Sequence, residues 1–150
     1  MLDAEQLTRS LAAAEEAGES RDAILRWAVE HIEAAEERFN WVGIYLLEGD
    51  ELVLHNYIGR PTEHTRIPVG VGVCGTAVAQ DRDIRVDDVS AEDNYLACSI
   101  ETKSELVVLI RSDDGTVHGQ IDLDSDRIAG FGADDEAELR RIAAWLARLF

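Results

Sequence analysis

Apolar residues recur along this chain with two different periods, and the changes of period mark out its elements. Leu2, Leu7 and Leu11, with alanines between them, predict a weakly amphipathic first helix that ends near Gly18. Ser20 then stands as an N-cap. Ile24, Trp27, Ala28, His31, Ile32 and Ala35 fall at i, i+3, i+4, i+7, i+8 and i+11, which predicts a second helix with one apolar face. His31 lies inside that stripe and reads as a partly buried packing residue rather than a ligand. At Asn40 the period drops to two. NWVGIYLL, the EGD turn and ELVLHNYI predict a β-hairpin. The glycine-rich GVGVCG leads into a short helix over TAVAQ, and IRVDDV reads as a strand. SELVVLI, the SDDGT turn and VHGQIDLDS predict a second hairpin, with Asp114-Gly115 supplying a tight turn. ADDEAELRRIAAWLARLF then returns to helical spacing, with Leu139, Ile142, Leu146 and Leu149 on one face.

Helices at both ends with hairpins between them predict an α+β fold, a mostly antiparallel sheet flanked by the terminal helices. The 150 residues suit one domain, 1–150, with the helices of residues 1–37 packing onto the rest. Between Gly59 and Lys103 lies a long stretch broken only by brief elements. Long loops in compact domains usually carry function, and both cysteines, Cys74 and Cys98, fall there.

Charge narrows the partners. Fourteen Lys+Arg against 31 Asp+Glu leave a net charge of −17, and Lys103 is the only lysine. Such a field repels phosphates, which argues against nucleic acid and anionic membrane surfaces. It suits either a protein kept soluble in concentrated salt or an ordinary acidic one. The N-terminus has acids from residue 3 and no apolar core of a signal peptide, and no apolar run reaches the length of a membrane span. A cytoplasmic, reducing compartment is the expectation. There, two cysteines 24 residues apart and without C-x-x-C spacing are either buried packing or redox chemistry, and no metal site is indicated.

Gly70, Gly72 and Gly75 satisfy G-x-G-x-x-G, but the segment before them contains Pro68 and the helix after them is too short for a βαβ crossover. No dinucleotide site, and no other cofactor, is expected. The glycines instead place Cys74 near a helix N-terminus, where free N–H groups would favour a thiolate. Asp122 and Asp124 share one face of their strand, and Glu105 opens its partner. This trio is either a solvated face or a site. Trp41, Gly43 and Tyr45 share a face of the first strand, with the gap at Gly43 leaving room for something small. Cys98 sits in a polar loop, a poor place for buried packing.

In order, NWVGIYLL, TRIPVGVGVCGTAVA, LACS with Glu105 seven residues after its cysteine, IDLDS and FGADDEAELRRIA resemble the GAF-domain free methionine-(R)-sulfoxide reductases, from about Asn40 to Ile142. The resemblance implies a GAF-like fold and a thiol-dependent oxidoreductase. Cys98 matches the catalytic cysteine, whose thiolate attacks the sulfoxide sulfur and is left as a sulfenic acid. Glu105, Asp122 and Asp124 match the acids that hold the substrate ammonium and hydrogen-bond its sulfoxide oxygen, which must be protonated before it is lost as water. Trp41 and Tyr45 match the aromatic wall around the S-methyl group. Cys74 matches the second active-site cysteine.

One position departs from the pattern. Where the family usually carries a third, resolving cysteine, this chain has His64. The implied alternatives are a Cys74–Cys98 disulfide reduced by thioredoxin or a small thiol, intermolecular resolution, or lost activity. His64 itself reads as a solvent-exposed loop residue unless it assists as an acid. A non-catalytic GAF module that senses an amino acid is the competing expectation. The apolar faces of the terminal helices are candidates for homodimer formation.

Overall fold

The computed structural model describes residues 1–95 and 100–150. Two helices, α1 (Ala4–Glu16) and α2 (Arg21–Ala35), precede the hairpin β1 (Trp41–Glu48) and β2 (Glu51–Ile58). Then follow β3 (Arg66–Pro68), α3 (Gly72–Gln80), β4 (Ile84–Val86) and a 3₁₀ turn over Val89–Ala91. The second hairpin, β5 (Ser104–Arg111) and β6 (Val117–Ser125), leads into α4 (Ala133–Ala147). The six strands form one antiparallel sheet in the order β3-β2-β1-β6-β5-β4.

Local signals account for most of these boundaries. The Ser20 hydroxyl accepts from Ala23 N–H at 3.1 Å, as an N-cap should. Gly18, Gly49 and Gly115, with φ of +87°, +64° and +87°, end α1 and close the two hairpins. The buried stripe of α2 is Ile24, Leu25, Ala28, Val29 and Ile32. It is rotated from the expected one: Trp27 is 41% exposed and His31 lies on the exposed edge, its Nδ1 bonded to Trp27 O at 2.8 Å. Leu25 and Val29 outcompete them because they point more directly at the sheet.

The alternation of the strands divides the interior in two. Val42 and Ile44 of β1, Leu106, Val108 and Ile110 of β5, and Ile121 and Leu123 of β6 face α1, α2 and α4 in the larger core. The opposite face carries Trp41, Tyr45, Val107 and Leu109 and is covered by α3 and its flanking loops, with Val73 and Ala77 packed against it and Ile67 of the edge strand β3 joining the cluster. Hydrophobic burial is thus met on both sides of one sheet. The polar residues at the centre of the second face are enclosed as well.

The candidate active site

The register of the three central strands assembles a polar cluster on that second face. Trp41 pairs with Asp124, which pairs with Glu105; Gly43 pairs with Asp122, which pairs with Val107. Directly opposed residues share a face, so Glu105, Asp122 and Asp124 converge. They are 4%, 1% and 1% exposed. The solvated-face alternative is therefore excluded: α3 and the loop after β2 cover what would otherwise be an amphipathic sheet surface.

Cys74 comes down on these acids from α3. Its thiol donates to Glu105 Oε2 at 3.8 Å, and the Cys74, Glu105 and Asp122 side-chain donor atoms lie within 4.8 Å of one another. Gln120, fully buried next along the same face of β6, donates from Nε2 to Cys74 O at 3.0 Å and fixes the first turn of α3 against the sheet. Burial first, then the charges of Asp122 and Glu105, push the Cys74 thiol well above its ordinary range. The thiolate expected at the helix N-terminus is therefore not favoured. Gly72 N–H, which opens α3, is taken by Asn94 Oδ1 at 3.2 Å, and Asn94 Nδ2 also reaches Gly70 O and Thr76 Oγ1. Burial likewise raises the Asp122 carboxyl, an effect that its hydrogen bonds with Glu105 and Cys74 only partly offset.

A small cavity of about 10 Å³ opens beside this cluster, lined by Tyr45, His64, Ile67, Val71, Gly72, Val73, Cys74, Glu105 and Asp122. Trp41 is nearly buried and stacks on Tyr45 and Tyr57, with centroids 6.4 and 5.4 Å away. The space expected at Gly43 is filled by the Trp41 ring, which a Cβ at Gly43 would meet at 2.5 Å. Both aromatics instead hold the loop after β2: Trp41 Nε1 donates to Arg60 O at 3.1 Å, and Tyr45 OH donates to His64 O at 2.8 Å. His64 is half-buried and lines the cavity, where an exposed loop residue was expected. Arg60 ties the same loop to Asp126, at the end of β6, and to Glu101. Cys98 lies in residues 96–99, outside the described residues.

Gln120, Asn94 and Arg60 were not singled out by the sequence. Gln120 continues the period-two series of Asp122 and Asp124 and was readable from it. Asn94 and Arg60 act across 18 to 66 residues of sequence, and no local pattern marks them. Among the described residues, Gly70-Val71-Gly72 serves α3 packing: β3 has three residues and pairs antiparallel with β2, which is no βαβ unit.

A GAF domain model matches residues 18–149. The free methionine-R-sulfoxide reductase of Escherichia coli is 41% identical over 110 residues, covering 73% of this chain and 66% of that protein. The structure of free methionine-R-sulfoxide reductase from Neisseria meningitidis in complex with its substrate superposes with a TM-score of 0.87 at 36% identity, covering 98% of this chain and 85% of that one. The type II enzyme from Thermoplasma acidophilum superposes with a TM-score of 0.83 at 36% identity, covering 86% and 91% of the two chains. On fold, sequence and extent of match, the chain belongs to the GAF-domain family of free methionine-R-sulfoxide reductases.

Proposed function

We propose that this chain reduces free methionine-(R)-sulfoxide to methionine, with Cys98 as the nucleophile. The observation that carries the reading is the buried set of Glu105, Asp122 and Asp124, of which Glu105 and Asp122 line a cavity with Cys74, in a chain of this family. Buried carboxylates stay charged only when a cation meets them, and the ammonium of a free amino acid is such a cation. The same acids serve the sulfoxide. As the Cys98 thiolate attacks sulfur, the S–O oxygen takes a proton, and a carboxyl held above its ordinary value by burial, as Asp122 is, suits that task. Methionine leaves and the oxygen remains on Cys98 as a sulfenic acid.

Cys74 is the resolving group in this reading. Its thiol attacks the Cys98 sulfenic acid, giving a Cys74–Cys98 disulfide and one water, and thioredoxin or a small thiol then reduces the disulfide. Glu105, which accepts the Cys74 thiol hydrogen bond, takes that proton and passes it to the departing hydroxyl in this reading. Tyr45 and Trp41 support the cavity wall and the loop carrying His64, which stands where the family's third cysteine would be. The protein works in a reducing, cytoplasmic setting as a homodimer.

The test is methionine release from each free sulfoxide epimer in the presence of a dithiol. The wild type consumes the R epimer, and Cys98→Ser consumes neither. Full turnover by Cys98→Ser sinks the assignment. Stoichiometric binding without consumption by the wild type identifies a sensor instead.

A further inference from the structure

The cluster under α3 has more acceptors than the described residues can satisfy. Asp122 Oδ1 and Gln120 Oε1 are both buried and have no hydrogen-bond partner among the described residues. Among the described residues, no lysine or arginine lines the cavity. A buried acceptor without a donor costs about 1–3 kcal/mol, so two on one face of β6 under a thiol leave a place for a bound donor or cation. The donor set also says which kind. A sulfur and two carboxylate oxygens, from Cys74, Glu105 and Asp122, lie within 4.8 Å of one another, with Cys74 Sγ and Glu105 Oε2 at 3.8 Å. Zn–S and Zn–O bonds of usual length at a tetrahedral angle put S and O about 3.5 Å apart. Small side-chain adjustments close that difference.

We propose that the reduced protein binds a thiophilic divalent cation of the Zn²⁺ class through Cys74, Glu105 and Asp122, with a fourth position open toward the cavity. The cation replaces the hydrogen that Cys74 shares with Glu105, and protons are released to solvent as it binds. The sulfur donor selects against Mg²⁺ and Ca²⁺, which prefer oxygen throughout. The ion occupies the acids otherwise available to an ammonium group, so it competes with the amino-acid substrate; this last point alone rests on the function proposed above.

The experiment is a titration of the reduced full chain with Co²⁺, followed by its sulfur-to-cobalt charge-transfer absorption and by proton release. One equivalent binds, Zn²⁺ displaces it, and Mg²⁺ does not. Cys98→Ser keeps the band, whereas Cys74→Ser loses it. Asp122→Asn, a second variant that leaves the thiol in place, weakens Co²⁺ binding by an order of magnitude or more. Absence of the band in the wild type, its persistence in Cys74→Ser, or its loss in Cys98→Ser overturns the proposal. All readouts are of binding, so a negative result leaves the proposed reduction untouched, and an inactive protein that binds Co²⁺ leaves this site standing.

Discussion

A carboxyl buried to 1% exposure is an expensive residue, and Asp122 is one. Burial raises its pKa in the folded protein, an effect only partly offset by hydrogen bonds with Glu105 and Cys74. A carboxyl whose folded pKa lies above its unfolded one destabilises the fold once the pH exceeds the unfolded value, because the unfolded chain ionises more readily. Asp122→Asn removes that cost. With a chelator present, the variant should melt above the wild type at neutral pH, by roughly 2–4 °C per kcal/mol relieved. The gap should close as the pH falls through about 4 and below, where the carboxyl becomes protonated in the unfolded chain as well. A variant melting below the wild type at neutral pH contradicts this account. Reduction should fall at the same time, a stability gain bought with function. The spacing of Asp122, Asp124 and Glu105 was plain in the sequence. Their burial was not, because it depends on α3 and the Arg60–His64 loop folding over the sheet from elsewhere in the chain. For the same reason Cys74 read as an activated thiol: its place near a helix start is local information, whereas the acids beneath it and Asn94 at Gly72 N–H are not.

Among the elements, α4 has its start held by one distant side chain. Arg38, just beyond α2, donates from Nη1 and Nη2 to the two oxygens of Asp135 at 2.7 and 2.8 Å, and from Nη1 to Gly130 O at 2.5 Å. Asp135 in turn accepts from Gly132 N–H at 2.8 Å at the start of the helix. Burial alone would raise Asp135, but the Arg38 hydrogen bonds, Gly132 N–H and the Arg38 charge outweigh it and hold the carboxyl below its ordinary value. Arg38→Met should cost about 1–3 kcal/mol by urea unfolding at neutral pH. The sign follows from the depressed folded pKa. The stability difference is fully present above the unfolded carboxyl value near 4 and fades as the pH falls through the folded one. A difference that persists unchanged in strong acid points to lost packing instead. The helices themselves were legible from period and caps, as Ser20 and Gly18 show. The rotation of α2 was not, since Trp27 and His31 fit the apolar period as well as Leu25 and Val29 do, and only the position of the sheet decides between them.

Across the whole molecule, the charge of −17 is a repulsion that folding concentrates. Counter-ions screen it, so the melting temperature should rise with NaCl from low to molar concentration, most steeply at the low end, where the screening length changes most. A flat or falling curve excludes net repulsion as a significant cost. Glu105, Asp122 and Asp124 stand apart from that bulk charge, being enclosed and out of reach of screening. Their enclosure follows from β6, where Ile121 and Leu123 enter the helix-covered core while Asp122 and Asp124 enter the site. A slip of one residue in β6 would exchange these pairs and drive two carboxylates into the oily side. The strand thus proofreads itself: one alignment satisfies both faces, and a chain that closes its core has, in the same act, aligned its acids. Titrating competent sites in a preparation should therefore count its correctly threaded molecules.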